Sequence, residues 1–428
     1  MTTISSTFCH DRQNLSARLF LGCILACAGA GTGAAESTDA TAIYGEIAIN
    51  QRQAQRRLKS GHDLLQPLTD AFSGYFAWKD RLREDYGFSY TVEYSPQAQW
   101  DLRLNGLHTS NDETNLIFQW AAVDRADMKR GTLMGWYQVS RTLGSRHTSQ
   151  FMQDVGIITP TNGGDTAPGD YNDLWQMLSW EQWFLDDTLR FGIGKLTTRT
   201  FLNLNRYAVG DREDFLTPQL VNNTVVPFTA RNGMGLFGQY HMDEAYLTGM
   251  VREADGTSTD ISFDTLDSGK WEYAVELGLT PTNTAGLGEG IYRFTGYYTD
   301  SIGTGANKQP SGWAMALSFD QDIGNDYGAF FRYSYAGEDW RAFRQRIGAG
   351  VQIKHPLGFR YDRIGLAAWW AEPTNNTLSG ETGVETFWKL QLAPNIEVTP
   401  DLQLIFNPQG NMNRNHVLIG SLRLRVLM

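Results

Sequence analysis

From Phe88 to Met428 apolar side chains return at every second position, run after run, and this period of two most restricts what the chain can fold into. In the last run Leu418, Gly420, Leu422, Leu424, Val426 and Met428 share one parity, while Ser421, Arg423 and Arg425 share the other. Phe88, Tyr90, Val92 and Tyr94 likewise oppose Ser89, Thr91, Glu93 and Ser95. Trp271, Tyr273, Val275, Leu277 and Leu279 oppose Glu272, Ala274, Glu276 and Gly278, and Tyr327, Ala329, Phe331, Tyr333 and Tyr335 oppose Gly328, Arg332 and Ser334. Such a strand can bury its apolar face in a protein core with its charges in water. It can equally turn that face to lipid with its charges in a wet lumen. A single run does not choose, but a second face that is small or polar almost every time suits a lumen better than a packed sandwich.

Strands are expected to begin at Phe88, Leu116, Gly131, Trp175, Leu189, Met234, Ala245, Trp271, Ile291, Trp313, Tyr327, Ile347, Arg363, Val384, Asp401 and Val417. That is about sixteen, an even number as in bacterial single-chain barrels. The connections test this independently. The links Asp124 to Arg130, Leu185 to Thr188, His241 to Glu244, Pro281 to Gly290, Asp320 to Asp326, Lys354 to Asp362 and Ala393 to Pro400 are each about ten residues or fewer. Links of the other parity include Arg141 to Leu174 and Leu196 to Gly233, each above roughly thirty. Long links alternating with short ones are expected of an outer-membrane barrel with a periplasmic N-terminus, and a soluble sandwich does not require them. The fold class is therefore all-β, a transmembrane antiparallel barrel of about sixteen strands over residues 87–428.

Composition supports the same reading. Charged residues are 19%, against about 25% in ordinary globular proteins. The 44 Gly and 13 Trp suit turns, close strand contacts and interfacial aromatic belts. A mean hydropathy of −0.37 and the lack of a second long apolar run exclude a bundle of membrane helices. A net charge of −11 leaves no basic surface for nucleic acid.

Arg12 and Arg18 precede the apolar stretch Leu19 to Ala28, which gives way to small residues through Ala34 and Ala35. This reads as a secretory signal over residues 1–35, cut near Ala34 or Ala35. All three cysteines, Cys9, Cys23 and Cys27, lie within it, so the exported chain has no disulfide to rely on. Residues 36–86 form a polar leader. Helix is expected in part of it, notably Phe76 to Tyr86, and the leader is either a plain periplasmic segment or a plug or partner-binding arm against the barrel mouth.

Four segments then carry a likeness. Trp78-Lys79-Asp80-Arg81-Leu82 leads into Gly87-Phe88, and Trp180-Glu181-Gln182-Trp183-Phe184 precedes Leu189 to Leu196. Phe359 to Gly365 and Pro400-Asp401-Leu402-Gln403 with Asn407-Pro408 follow. In this order and spacing the chain resembles the carbohydrate-selective porins of Gram-negative outer membranes, over most of residues 72–428. The resemblance implies a sixteen-stranded barrel whose narrowed channel passes sugars between charged and aromatic side chains. It departs from the pattern in ending on Met428, where such barrels usually present an aromatic residue to the assembly machinery, and in its long leader.

A neutral sugar in a narrow pore loses water from its hydroxyls, and the wall must replace those hydrogen bonds, while an aromatic face packs on the ring's C–H side. Residues of lumen parity that could do so are Glu93, Glu272, Glu276, Arg332, Arg363, Glu385, Lys389, Gln391, Arg423 and Arg425. The plainer alternative is that they solvate a water-filled interior or neutralise one another across strands. The long link carrying Arg199, Phe201, Asn203, Asn205, Arg206, Tyr207, Asp211, Arg212 and Asp214 is expected to fold inward as a constriction, the alternative being a solvated surface loop.

Other motifs lead nowhere. Gly303 to Lys308 lacks the spacing of a phosphate loop and reads as a hairpin loop. Asp320-Gln321-Asp322-Ile323-Gly324-Asn325-Asp326 has its glycine one residue early for a calcium loop, with Phe331 where a bidentate Glu should stand, and reads as a turn. His62, His108, His147, His241, His355 and His416 are scattered, with no nucleophile-base constellation. No catalytic residue, metal site or cofactor is expected. The sequence reading is an outer-membrane porin for passive, sugar-selective diffusion of mono- or oligosaccharides. A polysaccharide-export barrel is the alternative, and an outer-membrane hydrolase a weaker one. Expected partners are sugars in transit, outer-membrane lipid, the barrel-assembly machinery and, by analogy with other sixteen-stranded porins, a homotrimer.

Overall fold

Period-two alternation and short turns close the chain into one ring of antiparallel strands. The structure, a computed structural model, describes residues 66–428 apart from 104–105, 125–129, 165, 227–231, 304–307, 338–340, 394 and 412. The signal segment and the leader up to residue 65 lie outside the described residues. So does most of the loop expected at Gly303 to Lys308, which Ile302 and Gln309 bridge from either side.

Helix α1, Gln66–Tyr86, comes first. It is ten residues longer than the segment from Phe76 that the sequence pattern suggests, because Pro67 sits in the first turn, where its missing N–H costs nothing. Gly87 ends it at φ 68, its N–H bonded to the Arg83 carbonyl at 2.9 Å. The helix rests on Tyr90 of the first strand: the Tyr75 and Tyr90 hydroxyls are 3.0 Å apart, and the Lys79 ammonium lies 4.5 Å from the Tyr90 ring centre.

Strand β1 has two halves, Phe88–Tyr94 and Gln97–Asp101. They are one strand. Tyr94 opposes Val426 and Gln97 opposes Arg423, and on the other side the same two residues oppose Thr114 and Asn111, so one register runs through on both flanks. The break is Pro96, which has no N–H to give the ladder. Then follow β2 His108–Ala121, β3 Thr132–Thr142, β4 Tyr171–Phe184, β5 Leu189–Leu196, β6 Gly233–Met242, β7 Ala245–Glu253 and β8 Trp271–Leu279. The second half is β9 Gly290–Thr299, β10 Gly312–Ile323, β11 Tyr327–Ala336, β12 Phe343–Lys354, β13 Arg363–Pro373, β14 Glu381–Ala393, β15 Ile396–Phe406 and β16 His416–Leu427. Each pairs with its neighbours in sequence, and β16 returns to β1. Closure removes both sheet edges, so the strands pair their backbone groups with one another, as lipid requires.

The side chains sort by parity. Trp100, Trp120, Trp180, Trp313, Tyr240, Tyr273, Tyr298, Leu366 and Leu422 point outward and are exposed. Glu93, Arg293, Arg332, Arg346, Glu385, Arg423 and Arg425 point inward and are buried. Apolar outside with charge inside is the inverse of a soluble barrel, and it is the arrangement lipid selects.

Several strand boundaries differ from the sequence reading, three of them for a visible reason. β2 starts at His108, not Leu116, because its polar first half alternates between two kinds of polar residue, with Asn111, Glu113 and Asn115 inward. β10 runs through Asp320 and Asp322 to Ile323, so the turn is shorter and both aspartates continue the inward parity of Ser318. β15 begins at Ile396 with Pro400 inside it. The proline faces outward, and the ladder to β14 is interrupted between Phe387–Asp401 and Leu390–Val398, where Pro400 has no N–H to donate.

Candidate functional site

Two long connections, β3–β4 (143–170) and β5–β6 (197–232), fold back into the barrel, and their depth follows from what the wall offers them. Along the β5–β6 loop Phe201, Leu202, Ala208, Phe215, Leu216, Leu220, Val225 and Val226 are at most 2% exposed. Phe201 meets Phe237 of β6 with ring centres 4.0 Å apart, and Phe215 packs edge-on against Phe387 of β14 at 4.8 Å. The wall makes room with small residues. A side chain at Gly328 of β11 would strike the Tyr207 ring, and Leu220 lies over Gly348 of β12.

A loop this buried has carbonyl and N–H groups outside any ladder, and each needs a partner. Wall arginines serve the carbonyls. Arg332 donates to Val221, to Asn222 at 3.4 Å, to Asn203 at 3.2 Å and to Ala208 at 3.1 Å. Arg346 donates to Pro218 at 2.7 Å and Gln219 at 2.6 Å, and Arg423 to Asp211 at 2.6 Å and Asp214 at 3.0 Å. Wall carboxylates serve the N–H groups: Glu276 accepts from Asn203 at 2.6 Å, and Glu385 from Leu216 and from Thr217 at 3.2 Å. Hydrogen bonds to charged groups contribute about 1.5–3 kcal/mol each, so this set offsets part of the cost of ordering an irregular segment, and the buried apolar side chains of the loop add to it.

The remaining predicted residues fall into three groups. Arg206 reaches Asp320 at 2.5 Å and Asp322 at 3.0 Å, and the Tyr207 hydroxyl donates to Asp322, which also holds Lys354. Arg425 gathers Glu93 at 2.8 Å, Glu397 at 3.3 Å and the loop residue Glu213 at 3.8 Å, while Lys389 meets Asp214 at 3.4 Å. On β2 and β3 the Arg199 guanidinium lies 4.0 Å over the Trp136 ring, and Arg212 approaches Glu113 at 3.4 Å and Asn111 at 3.2 Å. Burial pushes the Glu213 carboxyl above its ordinary value, against the pull of Arg425 and Lys389, and pushes the Tyr207 hydroxyl up as well.

Glu272 sits apart, held by Arg252 and by the Tyr297 hydroxyl at 2.6 Å. Gln391 bonds back to its own strand end through Ala393, and Arg363 is half-buried at the start of β13, opposite Lys354 on one flank and Lys389 on the other. Missed in the sequence were Glu113, Asn115, Trp136, Asp320, Asp322, Arg346 and Glu381. All but one could have been read from parity: Glu113 and Asn115 share that of Ile117, Asp320 and Asp322 that of Ser318, Arg346 that of Gly348, and Glu381 that of Glu385. Trp136 gives no polar signal, being a lumen-facing aromatic whose Nε1–H donates to Asn115 at 2.7 Å.

A family model described as carbohydrate-selective porin, OprB family, matches residues 145–428. The high-pH structure of Pseudomonas putida OprB superposes with a TM-score of 0.67 at 13% identity, over 83% of this chain and 97% of that one. The low-pH structure of Pseudomonas putida OprB gives a TM-score of 0.53 at 13% identity, with coverage again 83% and 97%. At that identity the superposition bears on the fold. No curated protein matches the chain in sequence.

Proposed function

The chain belongs to the OprB family of carbohydrate-selective porins, a sugar-selective channel of the outer membrane, and from that premise we propose that the β5–β6 loop forms its selective neck. The observation that carries this is the double grip on the loop backbone, wall arginines on its carbonyls and wall carboxylates on its N–H groups. A segment held on both its donor and its acceptor sides keeps a fixed bore, and a fixed bore lined with hydrogen-bonding groups discriminates among solutes. Glu93, Glu276, Arg332, Glu385, Arg423 and Arg425 act in this reading by holding the neck. Arg206, Tyr207 and Arg212 tie the loop to the wall from its own side through Asp320, Asp322 and Glu113, and the Arg199–Trp136 stack offers solute a guanidinium beside an aromatic face. Neutral sugar is the favoured cargo because cations and carboxylates alternate around the neck and no single sign prevails.

The orientation proposed places the short turns and α1 in the periplasm and the long loops outside, in keeping with barrels of this class. Lipid solvates the outward face, and the barrel-assembly machinery is the route of insertion. Liposome swelling with a panel of mono-, di- and oligosaccharides tests the neck. Arg206→Ala and Arg332→Ala should both change relative sugar rates while the barrel keeps its heat-modifiable gel mobility. If neither changes them, the neck assignment fails, and if the wild type forms no open channel the transport reading fails with it.

A further inference from the structure

The other inward loop is held by a different device. Glu381, the first residue of β14, is fully buried. Its carboxylate accepts from the N–H of Ile158 at 3.0 Å, the N–H of Thr159 at 2.9 Å and the Thr159 hydroxyl at 2.5 Å, and from Gln409 N–H of the β15–β16 loop at 2.8 Å. Among the described residues no Arg, Lys or His forms an ion pair with it. Its charge is balanced by N–H and O–H donors alone, all but one group of them from the β3–β4 loop.

That loop enters the barrel from helix α2, Thr148–Val155, which ends on Gly156 at φ 84. There it touches the β15–β16 loop so closely that Gly410 donates its N–H to the Gly156 carbonyl at 2.9 Å, and a side chain on Gly156 would strike Asn411. Glu381 takes the next two N–H groups. Beyond it the Thr161 hydroxyl donates to Gln99 of β1 at 2.8 Å, and Gln403 of β15 donates to the Thr161 carbonyl at 2.9 Å. The Pro160 carbonyl accepts from Thr217 of the neck loop at 2.7 Å. Residues 157–162 thus line the inner face of the wall from β14 to β1 as a strap fixed at each end, and among the described residues Glu381 is the only charged group that fixes it. Without that acceptor four donors lose their partner, three of them on the strap, which a buried segment does not tolerate in place.

We propose that Glu381 is a positioning residue of the channel: its carboxylate latches the β3–β4 strap over the β14 to β1 side of the interior and so limits the size of solute that passes. This rests on the channel reading above but not on the cargo being sugar. In planar bilayers Glu381→Ala should raise single-channel conductance in KCl about twofold or more, since conductance follows the open cross-section and its lining. In liposomes it should admit larger oligosaccharides than the wild type admits, with heat-modifiable mobility retained. Thr159→Pro, which removes two of the donors from the loop side and leaves the wall intact, should do the same and carries the test if Glu381→Ala does not assemble. Conductance and size limit unchanged in an assembled variant overturn the latch. A wild type without sugar-dependent current block would instead overturn the sugar reading, and the KCl comparison between wild type and variant would still decide the latch.

Discussion

Arg346 shows what a buried charge does in this barrel. It is fully buried, and it donates to the Pro218 and Gln219 carbonyls rather than to a carboxylate. Arg346→Met keeps the volume and leaves two carbonyls unpaired, at about 1–3 kcal/mol each. Most of that loss should fall on the loop, so the variant should show noisier open-channel current with little change in the barrel's thermal transition. Glu213 adds a pH dependence. Facing it are Arg425 and Lys389, with Asp214 and Glu397 on the acidic side. An acid whose value is raised by burial binds its proton more tightly in the docked loop than in the free one. Docking is therefore stabilised as pH falls through the raised value, the gain being complete below the ordinary 4.5, and it is lost as pH rises through the raised value. Current should become quieter as pH is lowered toward the ordinary 4.5, and Glu213→Gln should not share that response. A Glu213→Gln channel with the wild-type pH response would assign the effect to another group.

At the scale of the strand, small inward residues matter as much as charged ones. Gly328 of β11 leaves the space that the Tyr207 ring fills, with an added Cβ only 2.1 Å from that ring. Gly328→Val should cost about 1–3 kcal/mol of overpacking and displace Tyr207 together with Arg206. Weakened sugar block in a barrel of normal mobility is the expected result. Alternation made β1 and β8 to β16 legible because one face of each is plainly apolar. It failed where both faces are polar, as from His108 to Asn115 of β2, and where turn-like residues occur inside a strand, as at Asp320, Asp322 and Pro400. The inward loops were legible only as long, mixed-charge links. Which backbone groups Arg332, Arg346 or Glu381 would meet depends on pairs more than a hundred residues apart, and no local pattern encodes that.

At the scale of the whole molecule, ring and filling are separable. Every strand finds both partners within the ring, and the neck loop leaves and rejoins the wall at Leu196 and Gly233, which are paired neighbours on β5 and β6. The 36 residues between them can therefore be replaced by a short Gly-rich turn without asking any strand to move. Such a barrel should still assemble, still need detergent or lipid to stay dispersed, and still migrate as a heat-modifiable species. Its inner surface would differ greatly. Arg332, Arg346, Arg423, Glu276 and Glu385 would exchange loop backbone for water, and the bore would widen to the wall except where the β3–β4 strap lines it. Conductance should rise several-fold, and block by added sugar should vanish, because the side chains of the neck that replace a sugar's hydration shell would be gone. A loopless barrel that assembles and is still blocked saturably by sugar would place selectivity in the wall itself, and the neck would then be no more than a size filter.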